Sequence, residues 1–274
     1  MPMTKHGLPV MLSFDLDCET LWTSRDPKNA ERPIIMSQGA YGWKIGCDRV
    51  LDLLARYDIK STFFVPGLII EQRPELMERI LKAGHEIAHH SYSHRWIVTL
   101  TPEEEREEME KGIEAVRRAT GRKPHGYRSP AAEFSSITLK LLREYGFSYS
   151  SNFCDDDSPY LLKVDGETTD MVEFPFAWVL DDAPFFNYSI TLPGRTMQPP
   201  SSVLEGWVDE FDTLYAEQRQ YMLAMHPEII GRPSRISMLE KLIRHIQGHP
   251  KVWFTRCDAA AEAVRPILQA RVTR

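Results

Sequence analysis

The residues whose types and spacing could do chemistry gather first in His85-Glu86-Ile87-Ala88-His89-His90-Ser91-Tyr92-Ser93-His94, which holds four of the chain's nine histidines. A neutral imidazole offers a lone pair near physiological pH, which makes histidine the commonest protein metal ligand. His90 and His94 are four residues apart, so one helical turn after a strand would aim both rings at one point. A third, oxygen ligand would complete a site of the catalytic kind, which keeps positions open for water and substrate. Candidates lie upstream in Ser13-Phe14-Asp15-Leu16-Asp17, where two aspartates two apart on a strand project from one face. One could bind a metal while the other takes a proton from water. Far downstream, Met225-His226-Pro227 places a further histidine at the end of an apolar run. Each stretch alone reads as well as a histidine-rich surface loop, a strand-end cap or a structural histidine. Their combination points to a metal-assisted site.

The elements that must position these residues alternate in type. Apolar runs at 10–14, 61–66, 85–90, 126–128, 147–151, 172–180, 221–225 and 252–255 read as strands. Helix-period patterns fill 47–58, 74–83, 101–120, 137–145, 201–218, 234–247 and 258–271, with Gly84, Gly121 and Gly146 as stop signals. Thr101-Pro102-Glu103-Glu104 is a capping box with proline at the first helical position. The acidic run 103–108 that follows reads as a solvated face complementing the helix dipole. A polar connection containing Asp155-Asp156-Asp157 separates two of the strands. Strands alternating with helices imply a parallel sheet with right-handed crossovers. Seven or eight such units fit a single closed or slightly incomplete (β/α) barrel of about seven strands, one domain over 1–274. The polar candidates Asp15, Asp17, His90, Arg128, Asp181, Asp182 and His226 all fall at C-terminal strand ends, which meet on one face of such a barrel.

Composition excludes other classes. With 274 residues, 42% hydrophobic and 26% charged, the chain has material for a large core. A net charge of −6 argues against a nucleic-acid partner, whose phosphates want a basic surface. No apolar run reaches the ~18 residues that span a bilayer, and the start shows no secretory leader pattern. Cysteines 18, 47, 154 and 257 lack C-x-x-C spacing, which fits reduced thiols and a cytoplasmic enzyme. Cys18 and Cys154 have no basic neighbour in sequence to activate a thiolate, and His85, His89 and His125 read as structural or supporting.

The order Phe14-Asp15-Leu16-Asp17, Gly84-His85-Glu86-Ile87, His90-Ser91-Tyr92-Ser93-His94, Arg128-Ser129-Pro130 and Met225-His226-Pro227 resembles the polysaccharide deacetylase family, the family-four carbohydrate esterases and their relatives. The likeness runs from about residue 10 to 256, and His-Ser-Tyr-Ser-His is its most specific part. It implies a distorted (β/α) barrel and one divalent metal ion, with zinc the first candidate, held by Asp17, His90 and His94. It also implies Asp15 as catalytic base, Arg128 as the arginine that steadies it, His226 as general acid, and Asp181 or Asp182 as the carboxylate orienting His226. Two departures stand out. Leu16 splits the family's adjacent aspartates, and Ala131-Ala132 replace the aromatic expected after the Arg-x-Pro motif. The split, the insert 21–46 and Trp178-Val179-Leu180-Asp181-Asp182-Ala183-Pro184 are more similar to a subgroup. That subgroup holds peptidoglycan-deacetylase-like proteins, deacetylase-type allantoinases and cyclic imide hydrolases, some of which dispense with a metal.

The expected activity is metal-dependent hydrolysis of a non-peptide carbon–nitrogen bond. A small amide or cyclic imide is the favoured substrate. The alternative is N-deacetylation of amino sugars in chitin- or peptidoglycan-like glycans, for which Trp22, Trp43, Trp96 and Trp178 could line a groove. A catalytically idle binding barrel would lack a ligand, and none is missing. The segment 21–46 exceeds the usual loop length. As a lid, its Trp22, Tyr41 and Trp43 would cover a small ring, and Arg25, Lys28, Arg32 and Lys44 would meet a carbonyl-rich substrate. A homo-oligomer contact or a solvated loop fits the same segment equally well.

Overall fold

The strands are β1 (Leu8–Asp15), β2 (Thr62–Val65), β3 (Glu86–His89), β4 (Gly126–Tyr127), β5 (Tyr149–Ser150), β6 (Tyr160–Val164), β7 (Glu167–Glu173), β8 (Tyr221–Met225) and β9 (Val252–Phe254). They come from a computed structural model that describes residues 4–189, 192, 194 and 196–272. All eight residues of β1 are buried, and it pairs in parallel with β2, β8 and β9. The sheet order is β6-β7-β5-β4-β3-β2-β1-β8, with every pairing parallel except the β6–β7 hairpin. From β8 back toward β7 the ladder is not continuous. A single bridge, Asp181 to Ala224, spans that seam, with the Asp182 N–H donating to the Ala224 carbonyl at 3.2 Å. The barrel is thus distorted and open along one side.

Alternation along β1 sorts its side chains. Leu8, Val10, Leu12 and Phe14 pack under the helices, together with residues such as Leu53, Leu54 and Leu239. Met11 faces the other way and joins Phe64, Ala88, Tyr149, Val172, Phe174 and Met222. The helix Cys257–Val272 covers this inner cluster with Ala260, Ala261 and Val264. Burying a Leu or Phe in such a core is worth about 1.5–3 kcal/mol, so the apolar stem of each strand holds its polar tip in place.

Sequence and structure differ in five places. The strand expected over 172–180 ends at Glu173, and residues Trp178–Leu180 form a 3-10 turn. Its partner β6 was concealed in the polar stretch, although Asp165-Gly166, with φ of 52° and 83°, is a hairpin turn signal. A short helix, Gly67–Gln72, follows β2. Residues 90–94 make no helical turn; Ser91 and His94 adopt φ of 61° and 63°, and this left-handed backbone brings the two rings together instead. Lastly, 21–46 is no loop. It winds through a helical turn at Thr20–Thr23, a 3-10 turn at Pro27–Glu31, a helix at Pro33–Tyr41 and a π-helical turn at Gly42–Gly46, which runs straight into the helix Cys47–Arg56. The capping box at Thr101 is present, and Gly121 and Gly146 end their helices in the left-handed conformation.

Candidate active site

The inward tips of β1 and β4 meet first. Asp15, the last residue of β1, accepts from Arg128 Nη1 at 2.7 Å, and the same nitrogen donates to Ser13 Oγ at 2.9 Å. Arg128 follows β4, donates through Nη2 to Ser151 Oγ at 3.0 Å, and lies 4.2 Å from the centroid of Phe64. Both partners are buried, so the pair is a charge-assisted bond in a dry setting that fixes the Asp15 carboxylate.

Two residues on, Asp17 is almost fully enclosed. Its Oδ1 lies 3.3 Å from His90 Nε2, and its Oδ2 lies 3.1 Å from His94 Nε2. Neither oxygen receives a hydrogen bond of good geometry. The far side of each ring explains what the near side offers. His90 Nδ1 lies 2.7 Å from the Arg128 carbonyl, which can only accept, so Nδ1 carries the proton and Nε2 turns a lone pair toward Asp17. His94 Nδ1 meets Ser24 Oγ at 3.1 Å, and that hydroxyl donates onward to the Leu21 carbonyl. Two imidazole lone pairs and a carboxylate therefore converge with nothing but a cation or protons to reconcile them. Burial, the largest influence on Asp17, raises its pKa, yet His94 and His90, where protons rather than a cation sit on their Nε2 atoms, outweigh it and hold the acid well below the usual carboxylate range. Burial likewise lowers His90, and Asp15 and Asp17 more than reverse this. The donor set, His₂ and one carboxylate with ring nitrogens oriented from behind, fits a divalent ion of the zinc type.

His226 closes the group from β8. Its Nδ1 lies 2.7 Å from Asp182 Oδ1, its backbone N–H donates to Asp182 Oδ2 at 3.0 Å, and its Nε2 faces Asp17 Oδ2 at 3.7 Å. Asp181 stands 4.0 Å from the same Nδ1 and accepts instead from the Ala183 N–H. Of the two candidates, Asp182 is the one bonded to the ring. Burial would strip the proton from His226, but Asp182 and then Asp181 outweigh it and raise the imidazole well above its ordinary value. Burial pushes Asp181 up to about 7 against the opposing pull of His226. Asp181, Asp182 and His226 are themselves close enough to ligate an ion; with Nδ1 bonded to Asp182, His226 presents only Nε2 to the pocket.

Several supporting residues escaped the sequence reading. Glu108 was assigned to a solvated face. In fact it is buried and accepts from Ser91 Oγ, Ser93 Oγ and the N–H groups of Tyr92 and Ser93, so one carboxylate clamps the whole His90–His94 loop. Glu105, one turn earlier in the helix Pro102–Thr120, does the same for Ser135 and Thr138. The signal was available: both lie on the stripe Met109, Gly112, Ala115 and Val116 that faces the core. Glu228, just past His226, accepts from the Cys18 N–H at 3.1 Å and ties the Asp17 turn to the His226 turn. Burial, then the charge of Asp17, keeps Glu228 far above the usual range for a glutamate. His89 is neutral, its pKa driven down to about 3 by burial, accepting from the Ser91 N–H through Nδ1 and donating to the Met109 carbonyl. His85 accepts from the Ser61 N–H.

Above these groups lies a cavity of about 520 Å³. Its floor is Asp15, Asp17, His90, His94, Arg128, Asp181 and His226; its walls are Leu21, Arg25, Trp96, Ser129, Ala131, Ala132, Phe176, Trp178, Ala183 and Pro184. Ala131 and Ala132 hold φ of 58° and 52°, conformations costly for any residue but glycine and typical of functional turns. The insert contributes Leu21 and Arg25 to the wall and Ser24 behind His94, but its aromatics turn away. Trp22 is in the core, Tyr41 Oη donates to the Gly231 carbonyl at 3.2 Å, and Trp43 Nε1 donates to Glu19. Lys44 and Arg32 are also engaged elsewhere, over Trp43 and on Asn29, so the lid expectation does not hold for these residues. The back of the insert is packed through glycines: a Cβ on Gly39 would lie 2.4 Å from the Cys18 carbonyl oxygen, and one on Gly46 2.0 Å from that of Pro227.

The polysaccharide deacetylase profile matches residues 39–150. Across nearly the whole length, the Peptidoglycan deacetylase of Helicobacter pylori is 32% identical, covering 93% of this chain and 96% of its own. The chain belongs to the polysaccharide deacetylase family. It is accordingly a hydrolase acting on carbon–nitrogen bonds other than peptide bonds, in a family whose deacetylases depend on a metal. The crystal structure of a candidate polysaccharide deacetylase from Mycobacterium smegmatis superposes with a TM-score of 0.89 at 36% identity, covering 94% of this chain and 90% of that one. Puue allantoinase superposes with a TM-score of 0.77 at 26% identity, covering 93% and 89%. The distorted (β/α) barrel of the deacetylase family is therefore the fold of this chain, with the seam between β7 and β8 left open. No helix among the described residues is long and apolar enough to cross a membrane.

Proposed function

We propose that this deacetylase-family barrel, 1–274 acting as one catalytic unit, hydrolyses small amides or cyclic imides. The observation that carries this reading is the chemistry of the pocket wall. Beyond the charged floor, the lining among the described residues is Leu21, Trp96, Ala131, Ala132, Phe176, Trp178, Ala183 and Pro184, with Arg25 and Ser129 as polar additions. A sugar presents several hydroxyls that want acceptors, and an apolar wall leaves them unpaired at about 1–3 kcal/mol each. A flat ring with one reacting carbonyl fits aromatic and aliphatic walls without that cost, and a cavity of this size suits a small molecule. The likeness to Puue allantoinase supports the same choice. The likeness to the Helicobacter pylori Peptidoglycan deacetylase supports the second reading, N-deacetylation of an amino sugar, with Trp96 or Trp178 stacking on the ring.

In either case the geometry supports the same set of roles. Asp17, His90 and His94 would hold the divalent ion, zinc by ligand type. Bound there, the ion supplies Lewis acidity and makes a water acidic enough to attack near neutral pH. Asp15, aimed by Arg128, takes the proton from the attacking water. His226, held protonated by Asp182, delivers a proton from Nε2 to the departing nitrogen. In the Ser129–Ala132 turn, Pro130 has no N–H and those of Ser129 and Ala132 are bonded to Asn152 and the Ser129 carbonyl, which leaves the Ala131 N–H as the donor this turn could offer the oxyanion. The four unpaired cysteines support work in a reducing compartment such as the cytoplasm.

Initial rates of the zinc-supplemented protein on succinimide-type rings and allantoin, set beside N-acetylglucosamine oligomers, test the substrate class. The expected result is a kcat/KM at least about 100-fold higher for a small ring, the scale on which unpaired polar groups discriminate. Turnover of the oligomers with none of the rings would hand the assignment to the second reading.

A further inference from the structure

The helices Pro200–Ala216 and Pro233–Gln247 pack against each other and bring a second set of ligand-type side chains together, away from the pocket: Asp212, His245 and His249. We propose that this trio is a separate binding site for a divalent transition ion, with zinc the test ion. The ligand atoms are already grouped. His245 Nε2 lies 2.6 Å from Asp212 Oδ1, His249 Nε2 lies 3.6 Å from the same oxygen, and all three ligand atoms fall within 4.8 Å of one another. Ligands about 2.0–2.2 Å from a tetrahedral zinc stand roughly 3.3–3.6 Å apart, so small rotations suffice to seat an ion.

The rings are also oriented as ligands are. His249 Nδ1 lies 3.1 Å from the His245 carbonyl, which can only accept, so its proton is on Nδ1 and Nε2 turns a lone pair toward Asp212. Phe211 stands edge-on to both rings, at 5.9 Å from His245 and 5.1 Å from His249, and Tyr215 flanks His249 at 4.8 Å. Tyr215 Oη in turn donates to the Pro250 carbonyl, which pins the segment carrying His249. An imidazole and a carboxylate forming an ordinary surface ion pair need only the 2.6 Å contact. The second imidazole, aimed at the same oxygen with its lone pair, is what a cation explains. On binding, the proton that His245 shares with Asp212 moves to its Nδ1 or to solvent, and the ion takes its place between the two atoms. The site would clasp the two helices together near the N-terminal end of β9, leaving one or more positions for water.

The full-length protein is equilibrated with excess zinc, desalted and assayed for bound metal. The expected count is about two ions per chain for the unaltered protein, about one for His249→Ala or Asp212→Asn, and about one for the His90→Ala, His94→Ala double variant. Combining His249→Ala with that double variant should abolish binding. Zinc should raise the Tm of the double variant, and His249→Ala should remove that rise while leaving hydrolytic activity in the otherwise unaltered protein unchanged. Equal metal counts with and without His249→Ala, or a zinc-induced Tm rise that survives it, would overturn the proposal without touching the assignment of the pocket.

Discussion

At the C-terminal ends of the strands, Asp15 lies 2.7 Å from Arg128 and Asp182 lies 2.7 Å from His226. At the opposite end, Glu86 at the start of β3 is as deeply buried, yet it accepts only from neutral donors: Thr62 Oγ1 at 2.6 Å, Tyr149 Oη at 3.0 Å and the Asp258 N–H at 3.1 Å. Burial, with Asp258 adding repulsion, lifts Glu86 to about 7. One strand thus begins at an acid that favours its proton and runs into His90, beside Asp17, whose neighbours favour charge. Cationic partners at one end hold Asp17 charged and aim Asp15 and Asp182, although burial lifts Asp181 to about 7 there too. At the other end the nearby Arg256 is bonded to Asp258 and not to Glu86, and the result is a polar plug that is most stable uncharged.

The sharpest way to break this contrast is to neutralise one charge at a time. Asp15→Asn should lower kcat by ~10²–10⁴-fold, the usual loss for a general base, with metal content retained. Asp17→Asn should instead lose the metal. Elemental analysis run beside initial rates separates the two, and swapped phenotypes would exchange their roles.

A smaller effect separates the neighbouring aspartates. Asp182→Asn removes the bond that keeps His226 charged, so kcat should fall roughly tenfold further than in Asp181→Asn, and the limb of the pH–rate profile set by the general acid should move to lower pH. Equal losses and unmoved limbs in both variants would mean that His226 is not held charged by Asp182.

The smallest effect tests the other end of the barrel. Because the folded pKa of Glu86 exceeds that of an unfolded glutamate, the native state holds a proton that the unfolded chain has released between about 4.5 and about 7. Stability should therefore decline as pH rises through that window and level off above it, by on the order of 1–3 kcal/mol from this group. Glu86→Gln cannot ionise. Urea unfolding of both proteins at pH 5 and pH 8 should show a shallower decline for the variant, with activity unchanged; parallel declines would remove Glu86 as a cause.

Much of this organisation was legible in the residue order, for a physical reason. A parallel barrel forces strand tips to one face, so polar residues at the ends of apolar runs had to meet. What stayed hidden depended on the backbone between elements. His-x-x-x-His suggests a helical turn, and only the left-handed Ser91 and His94 show another way to converge the rings. The choice between Asp181 and Asp182 turns on one residue of register beside Ala224, below what pattern can resolve. Glu105 and Glu108 were misread because an acidic run near a helix start is nearly always solvated, and the apolar stripe they share was given too little weight. The insert looked like a loop because its close contacts are made by glycines, which carry no hydrophobic signal.

Those glycines also reach beyond packing. Gly39 lies against Cys18, Gly42 against Glu228 and Gly46 against Pro227, so one wound segment backs the two turns that carry Asp17 and His226. The turns are far apart in sequence, and the insert acts between them as a spacer whose thickness is one peptide unit without a side chain. A side chain on that spacer would have to push one of the two turns aside, and with it the bite of the site, the gap across which a substrate must be gripped. A lineage that added one methyl group at Gly42 would change the bite while leaving every lining residue as it was. Substrate range in such a barrel can drift through its scaffolding, with no trace in the residues that touch the substrate.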